Sequence, residues 1–121
     1  MAKKILLVDD DLPIAHIVKS VVMEWKYEFY YTNQGNQALV LAKKHKPDLI
    51  LLDIKLPDLD GFSVQSQLWD DEATRNIPIL LFTAHVKLTE PHGASPNVVG
   101  FILKPFDVNQ LILKISSVID R

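Results

Sequence analysis

Short apolar runs alternating with amphipathic stretches predict an α/β fold: a doubly wound, five-stranded parallel sheet covered by helices on both faces. Three observations carry that expectation. Runs such as Ile5–Val8 and Leu49–Leu52 are apolar at every position, as strands buried on both faces are. The stretches between the runs repeat their apolar residues every three or four positions, which is helical spacing. At 121 residues with 48% hydrophobic and 23% charged residues, the chain suits one globular domain, residues 1–121, with no room for a further module. Right-handed crossovers and the strand order 2-1-3-4-5 are the default for such a chain.

The first strand is Ile5–Val8. From Pro13, well placed in a first helical turn, the residues Ile14, Ile17, Val18, Val21, Val22 and Trp25 share one helix face. Glu28–Thr32 is aromatic and reads as a strand. Gln34–His45 reads as a helix closed by Pro47. Asp48–Asp53 is the third strand. Gly61–Asp71 is a helix with Asp60 as its cap, and Ile77–Thr83 is the fourth strand. Val98–Leu103 is the fifth, weakened by Gly100. Asp107 caps a final helix that buries Leu111, Ile112, Ile115, Val118 and Ile119.

The segment from His85 to Asn97 breaks the alternation. Pro91 and Pro96 each remove an N–H and restrict the residue before them. An interior proline costs a helix about 3 kcal/mol and Gly93 about 1 more. Val86, Leu88 and Ala94 are too few for a sustained apolar face. The expectation is an irregular or shortened helix: at most a short turn before Pro91, then a mobile loop to Asn97.

Composition excludes several classes. The formal net charge is −2, from 13 basic and 15 acidic residues, and only Lys43, Lys44 and Lys46 cluster. That trio reads as a solvated helix end, so direct nucleic-acid binding is not expected. There is no cysteine, hence no disulfide, thiolate metal site or thiol catalysis. The opening apolar run stops at Asp9-Asp10-Asp11, too soon for a secretory leader. No stretch is long enough to insert in a membrane, and a cytoplasmic location is expected. His16, His45, His85 and His92 lack zinc-ligand spacing. No glycine-rich phosphate loop follows the first strand, which counts against a dinucleotide. Tyr27, Phe29, Tyr30 and Tyr31 read as sheet and edge packing, with a partner surface as the alternative.

The chemistry collects where the strands end, the edge at which ligands bind in parallel sheets. The first strand ends in Asp9 and Asp10, the third in Asp53, the fourth in Thr83 and the fifth in Lys104. Three clustered carboxylates repel one another, and a divalent cation resolves that. All-oxygen ligation favours Mg²⁺, Mn²⁺ or Ca²⁺. With Lys104 opposite, the set suits a phosphoryl group held between a metal and an amine. Each residue alone has a bland reading. The three acids could form a solvated turn, Asp53 could merely end a strand, Phe101 could be core and Thr83 a β-propensity choice. Their joint occurrence at four strand ends argues against coincidence.

The motifs Ile5-Leu6-Leu7-Val8-Asp9-Asp10-Asp11, Leu51-Leu52-Asp53-Ile54-Lys55-Leu56-Pro57-Asp58-Leu59-Asp60-Gly61, Thr83-Ala84 and Lys104-Pro105-Phe106 together resemble the receiver-domain signature of two-component response regulators, over essentially the whole chain. The resemblance implies a flavodoxin-like sheet and a signalling domain that catalyses only its own phosphoryl transfer and dephosphorylation. It implies Asp53 as the phosphoacceptor. Mg²⁺ would be held by Asp9, Asp10, Asp53 and the backbone carbonyl of Lys55. Thr83 and Lys104 would contact phosphoryl oxygens, and Thr83 and Phe101 would act as the switch. Lys55 and His85 would tune dephosphorylation, and the Lys104–Pro105 bond would be cis. The implied partners are a sensor histidine kinase or phosphotransfer protein and a downstream protein target. The broken segment argues against the usual symmetric dimer through the fourth and fifth helices and for a separate partner. Two other readings fit the residues: a pseudo-receiver acting as a constitutive interaction domain, and a small aspartyl-nucleophile phosphotransferase. The intact acids and lysine argue against the first, and the absence of a substrate-capping domain against the second.

Overall fold

The computed structural model describes residues 2–84 and 96–120. The elements run β1 (Lys4–Val8), α1 (Leu12–Glu24), β2 (Glu28–Thr32), a 3₁₀ turn (Gly35–Gln37), α2 (Ala38–His45), β3 (Leu49–Asp53), α3 (Gly61–Asp70), β4 (Ile79–Thr83), β5 (Val98–Leu103) and α4 (Val108–Ile119). All strands pair in parallel in the order β2-β1-β3-β4-β5. This is the flavodoxin-like doubly wound sheet that the alternation predicted. Residues 85–95 of the broken segment lie outside the described residues, so the expectation of an irregular or shortened helix there does too. Among the described residues no helix is long and apolar enough to cross a membrane.

The two-residue period of the strands divides the core in two. Ile5, Leu7, Leu49, Leu51, Leu80 and Phe82 face α1 and α4. Leu6, Val8, Ile50, Leu52, Ile79 and Leu81 face α2 and α3. That is why β1, β3 and β4 are apolar apart from Lys4, Asp53 and Thr83 at their ends: neither face meets water. The register sets Val8 beside Leu52, Asp53 beside Phe82 and Thr83 beside Leu103, which aligns the strand ends along one edge.

Acidic caps start three helices. Asp11 accepts from Ile14 N at 3.2 Å, with Pro13 in the first turn of α1. Asp60 accepts from Ser63 N at 2.9 Å. Asp107 and Gln110 form a reciprocal capping box on α4. The basic cluster closes α2, with Lys43, Lys44 and His45 in its last turn and Lys46 left-handed at φ 49°. Cations there sit at the negative end of the helix dipole.

The structure corrects three details. The buried stripe of α1 is Ala15, Val18, Val21 and Val22, whereas Ile17 and Trp25 are exposed. The helix meets the sheet along a stripe narrower than its apolar face, and Trp25 stands beyond its last turn. The start of the second expected helix is a 3₁₀ turn without a side-chain cap. β4 begins at Ile79 rather than Ile77, because residues 71–77 are occupied by turns closed from Arg75 N to Asp71 O and from Ile77 N to Thr74 O. Pro78 follows without an N–H to give the ladder.

The aromatic residues of β2 pack as the sequence predicts. Tyr27, Phe29 and Tyr31 lie against the α1/α4 core. Tyr30 lies against the opposite core and stacks on His45 with ring centres 4.0 Å apart. A buried amide pair, Gln65 Nε2 to Asn97 Oδ1 at 2.7 Å, fixes the start of β5 against α3.

Leu51 is fully buried in the central strand and Leu113 of α4 is 67% exposed. Leu51→Ala is therefore expected to cost about 2–5 kcal/mol and Leu113→Ala less than about 0.5 kcal/mol. Urea unfolding of the two variants measures the contrast, and equal costs would contradict the packing described.

Candidate functional site

β1 delivers Asp9, wholly buried, and the exposed Asp10 just past its end. β3 delivers Asp53 as its last residue, 7% exposed. One carboxylate oxygen from each of these three acids lies within 4.8 Å of the others. Lys104, directly after β5, places Nζ 3.0 Å from Asp9 Oδ2 and 3.6 Å from Asp53 Oδ2. Its backbone N–H donates to the Thr83 carbonyl at 2.8 Å, which ties it to the end of β4. The Lys104–Pro105 bond is cis, as the resemblance implies. Phe106 then stacks on Phe82 with ring centres 5.4 Å apart.

Asp10, Asp53 and Lys104 line a cleft of about 300 Å³ together with Asp11, Ile54, Lys55, Thr83 and Ala84, with Asp9 buried beneath it. Burial pushes the Asp53 carboxyl up to about 6, and the charge of Asp9 adds to the effect. The ammonium of Lys104 and the Lys55 N–H, 3.2 Å from Asp53 Oδ1, oppose the rise without cancelling it. Three carboxylates meet one ammonium there, so with all of them ionised negative charge exceeds positive charge.

The loop from Ile54 to Asp60 is held in several ways. Lys55 and Asp60 form an antiparallel bridge, and Gly61 N donates to Ile54 O at 2.7 Å. A Cβ on Gly61 would lie 2.6 Å from the Asp53 carbonyl oxygen and 2.7 Å from Ile54 Cα, both rigid backbone. Only glycine lets α3 begin so close to the end of β3. Asp58 reaches across to the 3₁₀ turn, accepting from Gly35 N and Asn36 N at 2.8 Å each. The Asn36 bond, foremost among these contacts, holds the Asp58 carboxyl below its ordinary value.

Of the residues singled out in the sequence, Asp9, Asp10, Asp53 and Lys104 converge, and Lys55 and Thr83 line the same cleft. Phe101 is half-buried on the α2/α3 side of β5 and is not among the cleft residues. His85 lies outside the described residues. Two contacts escaped the sequence reading. Asp58 and Tyr31 tie neighbouring elements to the site, the latter through a hydroxyl bond of 2.7 Å to the Asp9 carbonyl. Neither has a signal in spacing or periodicity, because both act across more than twenty residues.

Residues 5–116 match the family described as response regulator receiver domain. The chain is 36% identical over 118 residues to the polar-differentiation response regulator DivK of Brucella ovis, covering 97% of this chain and 96% of that protein. It is 33% identical over 119 residues to the DNA-binding dual master transcriptional regulator RpaA of a Synechocystis strain. It covers 98% of this chain and only 49% of that regulator, so it spans about half of the latter's length. Among solved structures, it superposes with a TM-score of 0.87 and 25% identity on the receiver domain of a sensor histidine kinase from Pseudomonas aeruginosa PAO1, covering 100% of both chains. That structure holds a magnesium ion coordinated in the active site cleft. The match over residues 5–116, the 36% identity along nearly all of a response regulator and the cluster of strand-end acids beside a lysine identify the chain as a member of the response regulator receiver domain family, a phosphorelay signalling domain whose phosphoacceptor site is the aspartate cluster.

Proposed function

We propose that Asp53 is the residue that accepts the phosphoryl group, from a phosphohistidine on a sensor histidine kinase or phosphotransfer protein. The observation that carries this reading is its position: a strand-end carboxylate at the floor of the cleft, with Lys104 Nζ 3.6 Å away. An Asp53 carboxylate oxygen attacks phosphorus, the nitrogen–phosphorus bond of the donor breaks, and its electron pair returns to the imidazole ring. Lys104 then turns from the two carboxylates toward a phosphoryl oxygen. Thr83 donates its hydroxyl to another, and Phe101 transmits the change along β5.

The residues present fit a divalent cation. Asp9, Asp10, Asp53 and the Lys55 carbonyl offer only oxygen, the donor type that Mg²⁺ takes. Burial foremost, and then the charge of Asp9, raise the Asp53 carboxyl, and a cation beside it would oppose both. Bound Mg²⁺ supplies neutralisation of that charge and of the incoming phosphoryl oxygens. The complete set of acids, hydroxyl and lysine supports a switching receiver over a constitutive interaction domain. The net charge of −2, with no dense basic patch beyond the α2 end, supports a protein target over direct contact of this domain with nucleic acid.

Incubation with acetyl phosphate and Mg²⁺ is expected to add one phosphoryl mass to the wild type and none to Asp53→Asn, read by intact-mass measurement. A phosphorylated Asp53→Asn would overturn the assignment. A turnover assay on small phosphoesters separates the phosphotransferase reading, and sustained turnover would favour it.

A pH dependence follows from Asp53. Its folded value, about 6, lies above the ordinary 3.8, so ionising it costs the folded state. That cost is absent below pH 3.8 and full above about 6. In EDTA, Asp53→Asn is therefore expected to be more stable than wild type at pH 7, with the advantage shrinking toward pH 4. Phosphorylation and Mg²⁺ affinity of the wild type should fall as pH drops through about 6, since the protonated carboxyl neither attacks nor ligates. Denaturant unfolding and Mg²⁺ titration at several pH values check both signs.

A further inference from the structure

Between the end of β1 at Val8 and the start of α1 at Leu12, three acidic residues reverse the chain and present two of the cleft carboxylates. Asp9 is the pivot of this turn and is fixed at four atoms. Its N–H donates to Thr32 O at 3.2 Å. Its Oδ1 accepts from Asp11 N at 2.9 Å and its Oδ2 from Lys104 Nζ at 3.0 Å. Its carbonyl accepts from the Tyr31 hydroxyl at 2.7 Å. This last contact crosses from the edge strand and lies outside the carboxylate chemistry altogether.

We propose that Tyr31 is a positioning residue for the cation-binding turn: its hydroxyl, on a ring clamped in the β2 edge, sets the orientation of the Asp9–Asp10 peptide and so aims both acids at Asp53. The proposal rests on the reading of Asp9 and Asp10 as cation ligands. The ring is held where it is by the α1/α4 core and by its parallel stack on Phe29. Asp9 is wholly buried, so water is a poor substitute for a lost donor. If the Asp9 carbonyl swings to find one, the Asp9–Asp10 peptide plane turns with it and Asp10 leaves its place. Packing alone requires only a large ring at position 31. The hydroxyl is the part that reaches the turn.

The test is Tyr31→Phe, which keeps the ring and removes the donor, beside Tyr27→Leu, which loosens packing against the same core four residues away from the turn contact. Tyr31→Phe is expected to weaken Mg²⁺ binding about two- to tenfold, the range one net hydrogen bond supports. Tyr27→Leu is expected to lower the unfolding midpoint and leave Mg²⁺ affinity unchanged. Hydrogen exchange in EDTA reads the turn without metal: Tyr31→Phe should speed exchange of the Asp9 and Asp11 amides and leave the β3 amides unchanged. Unchanged exchange and unchanged affinity in Tyr31→Phe would overturn the proposal. So would an equal loss of affinity in Tyr27→Leu, which would mean general loosening of this side of the core. A wild type that binds no Mg²⁺ would overturn the proposed function instead, and the exchange measurement would still decide the role of Tyr31.

Discussion

Asp9 and Asp53, both buried and drawn together at neighbouring strand ends, repel each other wherever both are ionised, and much of the local structure answers that repulsion. Lys104 offsets part of it from β5, through contacts of 3.0 and 3.6 Å. Lys104 does not reverse the elevation of the Asp53 carboxyl, which burial causes first and the charge of Asp9 second. A single lysine against two buried acids leaves a standing demand for positive charge, which is the physical basis of an affinity for a divalent cation. The same excess acids would repel an incoming phosphoryl group without that charge, so one constraint links metal binding to phosphoryl transfer.

A frame able to hold like charges together must be rigid, and the parallel sheet supplies it. The three central strands are buried along both faces, so neither Asp9 nor Asp53 can retreat without disturbing close-packed apolar residues. The loops between strand and helix are braced from several sides. Gly61 lets α3 approach the backbone of Asp53, Asp58 spans to the 3₁₀ turn before α2, and Tyr31 reaches from β2 to the turn after β1. Strand β2, remote from the chemistry in sequence and at the edge of the sheet, thereby touches the site.

The site and the outward surfaces answer to different demands. The relatives differ in length: the chain matches nearly all of DivK and about half of RpaA. On this chain the exposed apolar residues Leu12, Ile17 and Val108 stand on α1 and at the start of α4, away from the β5 face that carries Phe101.

The sequence by itself determined the order and type of the elements. Fully apolar runs can only be strands covered on both sides, and helices between them must supply the cover. It also determined the acids and the lysine, because residues that end parallel strands must share an edge. The caps Asp60 and Asp107 were legible for a similar reason, since a cap acts on backbone three residues away. Only the tertiary structure decided which face of α1 is buried, where β4 begins and which side chains brace the site. Ile17 and Trp25 satisfy the helical period as well as Val18 does, and only the width of the contact with the sheet separates them. Asp58 and Tyr31 act on partners 22 or 23 residues away. Such a bond depends on how two elements lie in space, and no local pattern of residues encodes that distance.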